Sequence, residues 1–424
     1  MLKRQTVNLA KAALLLHTIK ADKNRLDLVL ELQRFLVRRI VQGERRIVRI
    51  NQCAVRLKRT LKRDRLAKED AKRVKASLAR CADLGEQLRH LLFVWRCFGD
   101  GIAATYQDKY ALKHLYYDAH YNVKESPGFL SGKIGFRREW KLLRKGIQMG
   151  VPVVLADLTN IVRHGDLCAL AGRDPLPVEV KSSGNRNART ARQFAQLSEL
   201  AEFYANDGAT SFRGTPNVRR EALRLSEVNH FEAANACVTE ALQQQFATVQ
   251  PEPGLRYLAM RTDNLDDRRL GEFVGPSVLA HVLTPSTDWL PAYPFTLSLH
   301  PHNLVPFLQH HVAMLVLVDL AYLKALFTGH GVHATIMMDG FHAIQLCQDP
   351  TDLYPGVIRV SHQKFGRVAG EFQSLAWFAE ETARAMIHVT QHDTSTAARQ
   401  GSLADSDVTP WEIPPDWYRV RDCF

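Results

Sequence analysis

From Glu44 to Trp95 the chain contains no proline and a single glycine, Gly85. Nothing in those residues stops a helix, and the apolar spacing demands one. Ile47, Ile50, Ala54, Leu57 and Leu61 alternate steps of three and four. After Asp64 and Lys68 the seam resumes at Ala71, Val74, Leu78, Cys81, Leu88 and Leu92. The spacing predicts one coiled-coil-like helix with a register slip near Ala71, roughly 75 Å long at about 1.5 Å per residue. Such a helix must lay its seam on something. The candidates are the two helices expected before it, 7–20 and 25–41 (the second closed by Gln42-Gly43), or another subunit.

The charge follows the helices. Residues 1–90 hold 24 Lys and Arg against 9 Asp and Glu, a surplus of +15 in a chain of net +12, so the remainder is slightly acidic at −3. This arm is therefore the expected electrostatic contact for a polyanion. Apolar content of 46% and charged content of 24% belong to a soluble globular protein. Lys3, Arg4 and Lys11 break up the apolar run of residues 9–16, so no signal peptide is expected. The longest apolar run, near 312–320, is too short to span a bilayer. Seven cysteines with no C-x-x-C argue against a disulfide framework or zinc ribbon and for a reducing, cytoplasmic setting.

The chemistry is concentrated in one later stretch. His164-Gly165-Asp166-Leu167-Cys168-Ala169-Leu170 leads into Ala171-Gly172-Arg173-Asp174-Pro175, followed by Leu176-Pro177-Val178-Glu179-Val180-Lys181. Gly-Arg-Asp-Pro is a turn composition between short apolar runs, which predicts a β-hairpin. Folded about Arg173, it sets Asp166 opposite the Glu179 and Lys181 pair. Side-chain alternation puts Glu179 and Lys181 on one face, with Val178 and Val180 on the other. Two carboxylates and an ammonium at one hairpin end suit phosphodiester hydrolysis. Two oxygen ligands can hold Mg²⁺ and leave room for water and phosphate, and a lysine beside them can stabilise developing charge.

Asp166…Glu179-x-Lys181 resembles the PD-(D/E)XK nuclease superfamily, with the resemblance covering residues 132–204. It implies a mixed sheet flanked by helices, and Mg²⁺ or Mn²⁺ held by Asp166, Glu179 and the carbonyl of Val180. Lys181 would orient the attacking water. Members often carry an acidic residue on the preceding helix, supporting a second metal or the water; here that is Glu139, in a helix over 132–150 beside Arg137, Arg138, Lys141, Arg144 and Lys145. A glutamine on the following helix (190–204, with Phe194, Leu197, Leu200 and Tyr204 on its apolar face) reaches the active site in parts of the family, which points to Gln193. Two features depart from the pattern. Gly165 stands where a proline usually precedes the metal-binding Asp, and Leu197 and Leu200 occupy the Tyr position of the Q-x-x-x-Y form.

The expected fold class is α/β, in four parts. A basic helical, coiled-coil-like arm (1–95) precedes a nuclease-like domain (96–250) with a central mixed sheet. Beyond a linker at Pro251-Glu252-Pro253-Gly254 lie an α+β accessory domain (255–395) and an extended tail (396–424). Gly99-Asp100-Gly101 is expected to break a helix, and another helix is expected near 219–229. Seven histidines between His300 and His342 match no ligand spacing. The expected activity is that of a metal-dependent endonuclease acting on nucleic acid, DNA ahead of RNA, with no membrane association. A restriction or phage-defence role is the family's habit. The N-terminal helices would bind a second copy or a partner protein. The alternatives are a coiled-coil scaffold or a purely electrostatic nucleic-acid binder, each with a silent nuclease-like core.

Overall fold

The structure, a computed structural model, describes residues 2–63, 66–117, 128–180, 188–264, 270–285, 295–351, 357–392 and 411–412. The chain divides into two compact units, Met1–Arg220 and Glu221–Phe424. Both are mixed α/β, the first with long N-terminal helices, and the sheets are small and mostly antiparallel.

In the first unit the apolar seam finds its partner in its own chain. Helix α1 spans Thr6–Ala21, α2 Leu26–Arg63 and α3 Lys68–Tyr106. The expected uninterrupted helix instead ends at Arg63 and restarts at Lys68, where Asp64 and Lys68 interrupt the seam. The expected stop at Gln42-Gly43 is absent. Gly43 is a packing point, because a Cβ there would come within 2.7 Å of Leu92 Cδ2. Phe35 meets Trp95 edge to face at 5.9 Å, and Gly43 meets Leu92. These pairs run in opposite chain directions, so α2 and α3 are antiparallel. Ile50, Ala54, Leu57, Leu61, Ala71, Val74, Leu78 and Cys81 are half-buried along this pairing, while Arg56, Lys58, Arg59, Lys72, Arg73 and Lys75 are exposed.

From Val94 to Ala103 helix α3 is buried on every face, as a core helix must be. Gly99-Asp100-Gly101 lies inside it and breaks nothing. A Cβ on Gly99 would sit 1.9 Å from the Leu158 carbonyl oxygen, so only glycine admits that backbone. The helix crosses the boundary expected at residue 95, and the arm and the sheet belong to one unit.

That sheet has three strands, β1 (Val153–Leu155), β2 (Leu167–Ala169) and β3 (Leu176–Val178), in the order β1-β2-β3. Both pairings are antiparallel, so the expected mixed sheet is not found here; the connections are too short for parallel crossovers. A helical turn, α4 (Lys109–Leu112), is followed by α5 (Phe136–Gln148), which packs on β1, and by α6 (Ala188–Asn206). A two-stranded hairpin, β4 (Gly208–Phe212) and β5 (Thr215–Arg219), closes the unit. Its Arg220 pairs with Asp174 and Asp207.

The second unit opens without the helix expected near 219–229, then forms α7 (Phe231–Gln244). Strands β6 (Phe246–Glu252) and β7 (Leu255–Arg261) pair directly, so the proline-rich stretch at 251–254 is a hairpin turn within a sheet, not a linker. With β8 (Val278–Leu283), β9 (Val312–Asp319) and β13 (Trp411–Glu412) they form a sheet of order β13-β8-β9-β7-β6, in which only β13 runs parallel to its neighbour. The long apolar run 312–320 is its buried central strand. Strands β10 (His333–Ile336), β11 (His342–Cys347) and β12 (Val357–Ser361) form an antiparallel sheet, with Asp339-Gly340 in the turn between the first two. A last helix runs from Leu375 to His392. Apart from Trp411–Glu412, the tail lies outside the described residues.

Candidate active site

The site is built at one end of the β1-β2-β3 sheet, and the helices hold it there. Strand β1 is an edge strand, so its outer backbone groups need partners. Buried Gln33 on α2 supplies both: its amide donates to the Val153 carbonyl (2.8 Å) and accepts from the Leu155 N–H (2.9 Å). Beyond β1, the Asp100 carboxylate accepts from the N–H groups of Asn160 (2.6 Å) and Ile161 (3.0 Å) and from the Asn160 side chain (2.8 Å). Burial outweighs these donors and raises Asp100 to about 6. Arg96 donates to the Asp157 carbonyl (3.1 Å). Glu44, buried on α2, accepts from the N–H groups of Leu130 (3.1 Å) and Ser131 (2.8 Å), fixing the turn that carries Lys133.

The hairpin forms where the turn composition predicts, with its register displaced by one. Leu167 pairs with Val178 and Ala169 with Leu176. The turn therefore centres between Gly172 and Arg173, and the register continues from Asp166 to Glu179 rather than to Val180. Gly165 has φ +75°, and a Cβ there would lie 2.9 Å from the Val178 backbone. Proline, locked near φ −65°, cannot take that position. Asp166 is tied down from several sides. Its N–H donates to the Val178 carbonyl (2.9 Å), its carbonyl accepts from the Ala156 N–H (2.9 Å), and its Oδ2 accepts from the Val180 N–H (2.9 Å).

A cleft of about 340 Å³ opens beside this end of the hairpin, lined among others by Lys133, Asp157, Arg163, His164, Asp166, Glu179, Gln193, Gln196 and Leu197. Of the expected residues, Asp166, Glu179 and Gln193 meet here. Lys181 lies outside the described residues. Val180 contributes the N–H that orients Asp166. Glu139, on the inward face of α5, is 2% exposed and reaches the cleft through Lys133. Its neighbours on the helix, Arg137, Arg138, Lys141, Arg144 and Lys145, are exposed. On α6, Phe194 is exposed rather than on the apolar face, which is made by Leu200, Phe203 and Tyr204.

Sequence reasoning missed the residue at the centre. The Lys133 ammonium lies 2.9 Å from Glu139 Oε2, 2.8 Å from Asp157 Oδ2 and 3.0 Å from Asp166 Oδ1. Burial alone would lower its pKa, but Asp157, Glu139 and Asp166 reverse this and raise it well above the ordinary lysine value. Burial shifts Glu139 upward, against the pull of Lys133, and brings Arg163 down to about 10. Asp157 carried a readable signal, an acid closing the apolar run Pro152-Val153-Val154-Leu155-Ala156. Lys133 carried none. Among the described residues, four carboxylates (Glu139, Asp157, Asp166, Glu179) and two cations (Lys133, Arg163) stand at or beside this cleft. Among the described residues no group of three or more His, Cys, Asp or Glu side chains stands arranged for a metal ion; three of these carboxylates are closed on the ammonium instead. Among the described residues no helix is long and apolar enough to cross a membrane. Compared with known proteins, the chain matches no family model, no curated protein and no solved structure.

Proposed function

We propose that the first unit is a divalent-metal-dependent nuclease of the PD-(D/E)XK type, hydrolysing phosphodiester bonds of nucleic acid, DNA ahead of RNA. The observation that carries this is convergence. Asp166 before β2, Glu179 after β3, Gln193 on α6 and, through Lys133, Glu139 on α5 come from four separate elements to one cleft. The donor set fits a hard cation: carboxylate oxygens around a half-open cleft with room for water, as Mg²⁺ or Mn²⁺ requires. Asp166, Glu179 and the Val180 carbonyl would hold the ion, with Glu139 supporting a second ion or the water. When bound, the ion supplies an activated water and neutralises charge on the phosphate. The chain's own groups do the rest. The Val180 N–H fixes the orientation of Asp166, the amides of Gln193 and Gln196 offer donors to phosphate oxygens, and Lys181 stabilises charge developing at phosphorus.

Charge outside the cleft supports a nucleic-acid partner. Helix α5 turns its only carboxylate inward and presents Arg137, Arg138, Lys141, Arg144 and Lys145 to solvent. Arg38, Arg45, Arg46 and Arg49 line a surface groove on α2. Such arrays neutralise phosphates and make binding salt-dependent. The test is to incubate the protein with plasmid, linear duplex, single-stranded DNA and RNA, in Mg²⁺, Mn²⁺ or EDTA. Metal-dependent cleavage of at least one substrate is expected. Binding to all with cleavage of none would leave only an electrostatic nucleic-acid binder.

A further inference from the structure

We propose that Lys133 is a resident cation that closes the cleft in the metal-free state: it holds Asp166, a ligand of the ion, together with Asp157 and Glu139, so that metal binding at Asp166 and Glu179 displaces it. The proposal rests on the metal-dependent reading of the cleft. It starts from saturation: an ammonium has three N–H donors and no acceptor, and three carboxylate oxygens from three different segments lie within 3.0 Å of this one nitrogen. Magnesium binds oxygen at about 2.0–2.1 Å, so an ion on Asp166 would lie against the ammonium that already holds its Oδ1 at 3.0 Å. Either the ammonium leaves or the ion does not enter.

The surroundings allow the ammonium to leave without unfolding the loop. The turn that carries Lys133 is pinned by Glu44 through Leu130 and Ser131, and by the Lys133 N–H donating to the Leu130 carbonyl (3.1 Å). The Lys133 side chain is 26% exposed and its neighbour Ile134 is 97% exposed, so the four-carbon stem has solvent to swing into. Glu139, by contrast, is 2% exposed and cannot follow. The carboxylates stay and the cation exchanges. A divalent ion in place of one ammonium brings a second positive charge to carboxylates that now share a single one, Lys133.

A competing cation lowers apparent metal affinity by the fraction of molecules in which the site is open. A closed state populated at about nine-tenths would lower the apparent affinity about tenfold. The test uses the full chain, without nucleic acid, and titrates Mn²⁺ calorimetrically into wild type, Lys133→Gln, Asp157→Asn and the double variant, with thermal melts in EDTA and in Mn²⁺. Lys133→Gln is expected to bind Mn²⁺ about tenfold more tightly than wild type, to melt lower in EDTA, and to gain more from Mn²⁺. Should unrelieved repulsion prevent Lys133→Gln from folding, the double variant against Asp157→Asn carries the same comparison with one negative charge fewer. Equal or weaker Mn²⁺ binding without the lysine, in either background, overturns the role of Lys133 and leaves the nuclease reading intact. Absence of Mn²⁺ binding from every folded variant overturns both.

Discussion

Replacing Gln33 tests whether the N-terminal helices are part of the catalytic unit. The side chain is fully buried and serves two backbone groups of β1, the Val153 carbonyl and the Leu155 N–H. Gln33→Met keeps the volume and removes both partners. Each orphaned buried group costs about 1–3 kcal/mol, giving about 2–6 kcal/mol for the pair. For a unit the size of Met1–Arg220, at about 2–4 °C per kcal/mol, that is a fall in Tm of roughly 4–24 °C. Gln33→Glu makes a sharper test. An ionised carboxylate still accepts from Leu155 but sets an oxygen against the Val153 carbonyl, and it is buried. Its folded pKa is therefore raised, so the penalty is complete above that pKa and is relieved as pH falls through it, when the protonated acid can donate to Val153. Gln33→Glu should be the less stable variant at pH 7 and should recover toward wild type near pH 4, where Gln33→Met does not. Thermal melts across pH, with hydrogen exchange at the Leu155 amide, read both effects. If Gln33→Met melts with wild type and Leu155 exchanges no faster, the helices do not hold this sheet.

Three further outcomes follow from the same geometry. Asp100, raised to about 6 by burial, carries a penalty that is complete above that value and is relieved as pH falls toward the unfolded carboxylate range; wild type should gain stability relative to Asp100→Asn between pH 6 and 4, in paired melts. Converting Arg137, Lys141 and Arg144 together to alanine removes three exposed charges from α5 and should lower the salt slope of duplex binding by about 2–3, measured in EDTA by fluorescence anisotropy. Lys181→Ala should leave Mn²⁺ affinity within a few-fold of wild type while lowering single-turnover cleavage by about a hundredfold.

What was legible depended on whether the signal was local. The hairpin was readable because a turn composition and two short apolar runs lie within one stretch, and the acids at its end followed by counting. The count slipped by one because the turn pivots between Gly172 and Arg173, and composition does not distinguish that from a pivot on Arg173. The α2–α3 seam was readable residue by residue, from Ile50 to Cys81. Its partner was not, since the spacing of apolar residues is the same whether the seam meets its own chain or another. Gly43 and Gly99 looked like helix ends or breaks; Gly99 is glycine because the Leu158 backbone approaches too closely for a Cβ, and Gly43 packs against the Leu92 side chain, contacts that no local pattern encodes. Pro251-Glu252-Pro253-Gly254 looked like a linker for a related reason, its prolines marking equally well the turn between β6 and β7. Lys133 was invisible because its role exists only when α5, β1 and β2 are brought together.

The central claim, that Asp166 and Glu179 jointly hold the ion that cuts nucleic acid, is tested most directly by one paired measurement. Wild type, Asp166→Ala and Glu179→Ala are each assayed for duplex binding in EDTA and for plasmid cleavage in Mg²⁺ or Mn²⁺, with melts to establish folding. The expected result is duplex binding close to wild type in all three and cleavage by wild type alone, because either substitution removes an ion ligand while the basic faces of α2 and α5 remain. Folded Asp166→Ala and Glu179→Ala proteins that cut plasmid at the wild-type rate would contradict it.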